Sequence, residues 1–300
     1  MKLGVSLASF HMVDDHAEGA RNIIERAKAA GSADLDLLSL GDQHTVGAPY
    51  YQNVPMLGRL MADWPSDRPV GALFLLPLWH PVTVAEQVGT LATMSEAPFV
   101  IQTGLGGGEA AFAAMGKQLN RRARDLDESI RVIKALLAGE TIDSERFGLT
   151  GTRISPIPPV RAEWWIGAAA PAALDRAARE GDCWYGNANL TPESAGPTLQ
   201  AYRDACEKHG TEPRSAVRKD VIVLRDGDRA RQLGDDMIAA GYRGMPREAV
   251  AYGGVDEVVE QLAVYKDLGF DEVTVRCMEV PQADAVETLT LCGEVRAALA

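Results

Sequence analysis

The sequence predicts an α/β fold, a single (β/α)8 TIM barrel, from three observations. Eight β-rich segments recur along the chain, and helical spacing follows each of them. The 300 residues, 46% of them hydrophobic, can bury one large core, and about 250 residues is typical of such a barrel. No low-complexity linker divides the chain, so we expect one domain over residues 1–300. The alternative is a doubly wound sheet, which usually has fewer strands.

The amino-terminal half carries four of the strand–helix units. The first strand is followed by Asp14 and Asp15, either of which can cap a helix that Gly31 ends. The predicted strands of this half are 2–7, 35–40, 70–76 and 99–103, and its helices are 15–30, 56–63, 82–94 and 121–138.

A glycine-rich turn follows the fourth strand. The strand runs directly into Gly104-Leu105-Gly106-Gly107-Gly108, and apolar residues at helical spacing come next. Glycines at this junction allow a ligand to approach the backbone closely, because no Cβ intervenes. The run lacks the third glycine of a dinucleotide fingerprint. Both a ligand-binding turn and an ordinary tight βα turn therefore remain open from this motif.

The carboxy-terminal half begins with an insertion at 139–162 that interrupts the repeating pattern. It carries a predicted hairpin at 147–154 and then Pro156, Pro158 and Pro159, which favour irregular structure. Four further units follow. The predicted strands are 163–167, 182–185, 217–224 and 272–277, and the helices are 170–179, 192–209, 229–240, 255–268 and 283–298.

Composition excludes several function classes. The net charge of −12 argues against nucleic-acid and anionic-membrane partners, and Arg121, Arg122 and Arg124 are followed at once by acidic residues, as on a solvated helix face. The four cysteines include no CxxC pair, so neither a metal site nor a disulfide framework is expected. The amino terminus is typical of a strand and not of a signal peptide, and no apolar run reaches about 18 residues. We expect a cytoplasmic protein.

The chemistry of a barrel lies at the carboxyl ends of its strands. There this chain offers mostly apolar, aromatic and glycine residues, which suit a flat aromatic cofactor better than a hydrolytic site. The compact titratable pair is Asp42 with His44, separated by Gln43. His44 is a candidate proton donor near neutral pH, or a loop histidine with a structural hydrogen bond.

Three other features have both a functional and a structural interpretation. Free N–H groups at Gly167–Ala170, where a helix opens, form a natural phosphate site, or a plain strand–helix junction. Trp184 is a cofactor wall or a core residue. Arg276 reaches a ligand carboxylate or phosphate, or forms an ion pair inside the barrel.

Nearly the whole chain resembles the bacterial luciferase-like flavin-dependent monooxygenases. The resemblance rests on motifs in order and spacing and not on any one of them. They are Ser39-Leu40-Gly41-Asp42-Gln43-His44, the run 50–57, Pro77-Leu78-Trp79-His80-Pro81 with Ala85-Glu86-Gln87, the run 104–116, Trp165-Ile166-Gly167-Ala168-Ala169, and the run 175–182.

The resemblance implies a barrel that binds FMN, or in some branches the deazaflavin coenzyme F-420, usually as a homodimer. It also implies a non-prolyl cis peptide near 71–73 against the flavin ring, and a phosphate at the start of the helix after Gly167. Asp42, Gln43 and His44 are then the catalytic residues. The cofactor-binding residues are Ala72, Leu73, Thr103, Gly104, Gly106, Gly167, Ala168, Ala169, Ala170 and Trp184.

This chain departs from its relatives at three places. Gln43 stands where many carry a histidine, and a glutamine cannot shuttle a proton. Alanines replace hydroxyl and acidic side chains near the phosphate, and Leu105 replaces a phosphate-binding arginine. We expect an FMN-using monooxygenase that acts on a small organic substrate and takes reduced flavin from a separate reductase. The alternatives are coenzyme F-420-dependent hydride transfer and a non-catalytic flavin- or ligand-binding barrel.

Overall fold

Eleven strands and ten helices make up the computed structural model, which describes residues 1–300. The strands are β1 Lys2–Leu7, β2 Leu38–Leu40, β3 Val70–Phe74, β4 Phe99–Thr103, β5 Ile142–Ser144, β6 Leu149–Thr152, β7 Glu163–Gly167, β8 Cys183–Gly186, β9 Ser215–Val223, β10 Val250–Gly253 and β11 Glu272–Cys277. The helices are α1 His16–Ser32, α2 Asn53–Leu60, α3 Pro81–Ala92, α4 Glu109–Ala114, α5 Arg122–Leu137, α6 Pro171–Glu180, α7 Pro192–His209, α8 Gly227–Ala239, α9 Val255–Leu268 and α10 Gln282–Leu299.

Eight parallel strands close into a barrel, as predicted. Their order is β1, β2, β3, β4, β7, β8, β9 and β11, and β11 pairs with β1 to complete the ring. Helices on the outside of the barrel connect neighbouring strands along the chain, because parallel strands need a crossover connection. The carboxyl ends of all eight strands therefore open onto one mouth, where the residues after β2, β4 and β7 meet.

Two short elements differ from the sequence prediction. The hairpin of the insertion pairs Ile142 with Thr152 and turns through Gly148, whose φ of 64° only glycine adopts easily, so it begins earlier than the predicted 147–154. Strand β10 was not predicted. It pairs in parallel with the second half of β9, where Val250 lies opposite Asp220, after β8 has ended along the first half.

Apolar side chains divide between the outside and the inside of the barrel. The largest cluster fills the space between the strands and the helices and includes Leu3, Val5 and Ile133. A small cluster of Val100, Trp165 and their neighbours lies near the amino ends of the strands. The barrel is therefore a packed scaffold below an open mouth. None of the helices combines the length and apolar character that a membrane crossing requires.

The expected cis peptide near 71–73 is wrong. The single cis bond in the chain is Ser155–Pro156. Strand β3 stays regular because it pairs in register with both β2 and β4. The side-chain amide of Asn53 also fixes the Leu73 carbonyl at 2.6 Å. Gly71 allows this close pairing, since a Cβ there would lie 2.5 Å from the Val100 carbonyl oxygen.

Candidate active site

Asp42, at the end of β2, is held by hydrogen bonds from the segment after β3. Its side chain is fully buried, and its Oδ2 accepts hydrogen bonds of 2.7 Å from the Leu75 backbone N–H and from Trp79 Nε1. The other oxygen, Oδ1, lies 3.2 Å from His44 Nε2, and the imidazole packs edge-on against the Trp79 ring at 5.1 Å. The carboxylate thus ties the β2 end to the segment after β3, and its Oδ1 faces His44 without a hydrogen bond of ordinary geometry.

The Gln43 side chain is exposed, unlike the side chains of Asp42 and His44 on either side of it. Gln43 lines the mouth, while its backbone carbonyl accepts a 3.2 Å hydrogen bond from Gln52. The three predicted catalytic residues therefore fall into a buried pair and one solvent-facing amide. The amide can hydrogen-bond a ligand, and the buried pair can hold or exchange a proton at His44.

A cavity of about 340 Å³ opens over the ends of β1, β2, β3, β9 and β11. Tyr50 forms part of its wall, and burial raises the pKa of this phenol to about 12, so the hydroxyl keeps its proton at neutral pH. The Ser9 hydroxyl beside it is buried without a hydrogen-bond partner. The other polar residues that line the cavity include Gln43, Arg218, Arg243 and Arg276.

A buried acid surrounded by arginines lies in this mouth and was missed from the sequence. Asp220 is fully buried, and its Oδ2 accepts hydrogen bonds from Tyr242 Oη at 2.9 Å and from Arg276 Nη1 at 3.2 Å. Arg218 Nε lies 3.2 Å from Oδ1, and Arg243 Nε lies 3.8 Å from Oδ2. Burial raises the pKa of Asp220, but the three guanidiniums outweigh burial and the net shift is downward.

The sequence carried a signal for this cluster. Arg218 and Asp220 occupy alternate positions of β9, on either side of Lys219, so both face the same side of the sheet. Register then places Asp220 beside Arg276 of β11. Arg276 is therefore the inner-barrel ion pair that the sequence left open. It also lines the cavity.

The glycine turn after β4 forms an open backbone cradle. Gly106 and Gly108 have φ of 65° and 86°, and a Cβ at Gly107 or Gly108 would meet nothing within 4 Å. Arg122 lies against this turn, where its Nη1 donates to the Gly106 carbonyl at 3.5 Å. The interpretation of Arg122 as part of a solvated helix face is thus wrong, because this half-buried guanidinium reaches the loop and brings a cation beside it.

The start of α6 forms the other half of the cradle. Ala169 and Ala170 are exposed, and no side chain caps the helix, whose first residue is Pro171. Strands β4 and β7 are neighbours, and a Cβ at Gly167 would lie 3.0 Å from the Thr103 carbonyl. Backbone N–H groups at a helix start attract anions, and here they lie beside the glycine turn.

Other residues predicted to bind the cofactor support this region from behind. The Trp184 side chain is fully buried in the core and donates from Nε1 to the Ala168 carbonyl at 2.9 Å, so it is not a cofactor wall. Ala72 is also buried in the main cluster. The Thr103 hydroxyl donates to the Phe74 carbonyl at 3.0 Å. Leu73 is the member of this group that lines the mouth cavity.

Comparison with known proteins places the chain in a family. The profile of the luciferase-like monooxygenases matches residues 1–272. The chain belongs to the luciferase-like monooxygenase family. Its barrel is that of the luciferase-like structures, as the resemblance of the sequence implied.

Solved structures of similar fold include enzymes with different cofactors. Monooxygenase RslO1 from Streptomyces bottropensis has a TM-score of 0.82 at 19% identity, with 98% of each chain covered. An F-420-dependent secondary alcohol dehydrogenase has a TM-score of 0.79 at 14% identity over 100% of this chain and 99% of the other. The oxygenating constituent of 3,6-diketocamphane monooxygenase from Pseudomonas putida, in complex with FMN, has a TM-score of 0.79 at 16% identity over 99% and 98%.

Among curated proteins, the chain is similar to a phthiodiolone/phenolphthiodiolone dimycocerosates ketoreductase of Mycobacterium bovis. The two are 26% identical over 218 residues, which is 69% of this chain and 57% of the relative. The chain therefore spans little more than half the length of the curated relatives it matches.

Proposed function

We propose that the protein is an FMN-using monooxygenase that acts on a small organic substrate in the barrel mouth. The observation that carries this proposal is the backbone cradle between Gly106 and Ala170, at the same carboxyl-end face of the barrel as the cavity that Asp42 and Gln43 border. Open glycines, uncapped helix N–H groups and the Arg122 guanidinium fit a phosphate-bearing flavin. When bound, the flavin supplies redox chemistry with molecular oxygen that no side chain provides.

The chain's own residues bind, orient and handle protons. His44 lies between Asp42 Oδ1, at 3.2 Å, and the Trp79 ring, and in this proposal it gives or takes a proton at a substrate atom. The exposed amide of Gln43 and the protonated phenol of Tyr50 offer hydrogen bonds to the substrate from the cavity wall. Leu73 provides apolar surface. The cavity of about 340 Å³ limits the substrate to a small molecule.

A second candidate is hydride transfer with coenzyme F-420. It is favoured by the similarity to a ketoreductase and by the equal structural similarity to F-420-dependent and FMN-containing enzymes. The cradle offers backbone N–H groups to either coenzyme's phosphate. In both candidates Asp42 and His44 handle the substrate proton, and oxygen dependence separates the two reactions.

The proposal extends to the assembly and surroundings of the protein. Following its family resemblance, we propose one domain over residues 1–300, a homodimer, a cytoplasmic location and a separate reductase that supplies reduced flavin. Sedimentation equilibrium of the purified chain at micromolar concentration tests the dimer. A monomer under those conditions contradicts that part of the proposal alone.

The test of the cradle is a titration with FMN, followed by flavin fluorescence, with inorganic phosphate as competitor. Arg122→Met should weaken FMN binding about tenfold, since a charge-assisted hydrogen bond is lost. Arg121→Met is the matched control, because Arg121 is exposed and makes no side-chain hydrogen bond. FMN binding that phosphate does not weaken, or equal effects of the two variants, would contradict the cradle.

A further inference from the structure

The arginines of the mouth cavity are all paired with a single carboxylate. Arg218, Arg243 and Arg276 line the cavity, and Asp220 is the one carboxylate within 4 Å of each guanidinium. Arg218 Nε is buried without a hydrogen-bond partner, and its side chain is only 24% exposed, so this donor is withdrawn from water without a protein acceptor. Arg243 is exposed at the cavity wall, and its Nε lies 3.8 Å from Asp220, too far for a hydrogen bond.

The other acids of the mouth do not pair with these arginines. Asp42 is engaged with the Leu75 N–H and with Trp79, and Glu279 is exposed at the rim. Burial lowers the pKa of the Arg243 guanidinium, and the charges of Arg276 and Arg218 lower it further. The unpaired donor of Arg218 and the neighbouring guanidinium of Arg243 therefore favour an anionic acceptor at this point.

The backbone holds Arg243 in place over the cavity. Its φ of 49° lies in the left-handed region, which is costly for a residue with a Cβ, and Gly241 and Gly244 on either side have φ of 83° and 64°. Tyr242 anchors this turn because its buried hydroxyl donates to Asp220. The same carboxylate thus positions the turn and the Arg276 guanidinium, and leaves two cations facing the cavity.

We propose that the mouth binds the anionic group of a small organic acid between Arg218 and Arg243, and that this acid is the substrate. The inference rests on the proposed function and names its substrate class: a small molecule with a carboxylate, sulfonate or phosphate. In the ring of eight strands, β11 lies opposite β4 and β9 lies opposite β3. The acid therefore lies across the mouth from the glycine turn after β4, with its reacting carbon toward Gln43, which lines the cavity at the β2 end.

Calorimetric titration of the full chain with benzoate, methanesulfonate and inorganic sulfate tests the proposal. Benzamide and dimethyl sulfone are the neutral counterparts of the two organic anions. We expect the anions to bind at least tenfold more tightly than these counterparts. Arg218→Met and Arg243→Met should each weaken anion binding about tenfold to a hundredfold, since hydrogen bonds to a charged group are lost.

The control is Arg225→Met, which removes an exposed arginine that pairs with Glu294 away from the mouth. It should change anion binding less than twofold. Equal binding of benzoate and benzamide, no binding of any of the three anions at about 50 mM, or equal effects of Arg225→Met and Arg243→Met would each overturn the proposal. Arg243→Met suffices if Arg218→Met fails to fold, because Arg243 is the more exposed of the two.

Failure of this inference is distinguishable from failure of the proposed function. Benzoate should change FMN affinity less than twofold, because the two sites lie across the barrel. Competition between benzoate and FMN assigns the arginines to the cofactor phosphate and overturns the substrate subsite. Arginine-dependent benzoate binding without binding of FMN or coenzyme F-420 supports the anion site and overturns the flavin proposal instead.

Discussion

Removal of the Asp42 carboxylate should destabilise the protein more than a typical surface mutation. Asp42→Ala leaves two buried donors, the Leu75 N–H and Trp79 Nε1–H, without their 2.7 Å acceptor. An unsatisfied buried donor costs about 1–3 kcal/mol, so we expect a loss of about 4 kcal/mol. Asp42→Asn retains one oxygen acceptor but loses the charge. Since charge-assisted bonds are about twice as strong as neutral ones, we expect a loss of about 2 kcal/mol.

Urea denaturation at pH 7, followed by tryptophan fluorescence, measures these losses. Asp14→Ala is the matched control, since Asp14 is exposed and its side chain makes no hydrogen bond, and it should stay within about 0.5 kcal/mol of the wild type. His44→Gln should also be mild, because Asp42 keeps both of its donors. If Asp42→Ala were as stable as Asp14→Ala, the carboxylate would not organise the segment after β3, and its role in the site would be refuted.

Three further perturbations follow from the structure. Burial raises the pKa of Glu272 to about 8 from an ordinary 4.5, so its contribution to stability is full below pH 4.5 and is lost as pH rises to 8. Glu272→Gln should remove this dependence, which reduces the fall in unfolding free energy between pH 5 and 8 by about 3 kcal/mol in urea titrations. Gly234→Ala should lower the melting temperature by several degrees, because a Cβ would lie 2.5 Å from the Tyr252 ring. Trp184→Phe should cost about 3 kcal/mol in urea and weaken FMN binding less than threefold, since it removes the bond to the Ala168 carbonyl behind the cradle and leaves a cavity beside Tyr202 and Phe270.

For each of these three variants, one result would contradict the prediction. Parallel pH profiles of wild type and Glu272→Gln mean that this carboxyl is not held neutral in the fold. An unchanged melting temperature for Gly234→Ala means that α8 can move away from β10. A large loss of FMN affinity in Trp184→Phe means that the indole acts on the ligand and not through the backbone.

Strong local signals explain why most of the fold was predictable. The bounds of β4, β7, α7 and α9 agree with the sequence prediction. Helix α7 begins at Pro192 after a Thr191 cap and ends at Gly210, whose φ of 67° suits a left-handed C-cap. Strand β10 lacked such a signal, because four residues after a loop form a strand only when β9 provides a partner.

The candidate site was predictable only where its residues are close in sequence. Asp42 and His44 are two positions apart, so their pairing follows from one loop. The group around Asp220 joins β9, β11 and the turn after α8: strand register pairs Asp220 with Arg276, and the turn brings Arg243 to the same carboxylate. The position of Arg122 similarly depends on how α5 packs against the glycine turn. Contacts of this kind belong to the tertiary structure and have no short sequence pattern.

The measurement that tests the central claim most directly is a side-by-side titration of the full chain with oxidised FMN, reduced FMN and coenzyme F-420. The proposed monooxygenase should bind oxidised or reduced FMN at micromolar concentration, should lose about tenfold with Arg122→Met, and should bind coenzyme F-420 more weakly. Selective binding of coenzyme F-420 would contradict the monooxygenase and assign the barrel to hydride transfer. Binding of none of the three would contradict both candidate functions.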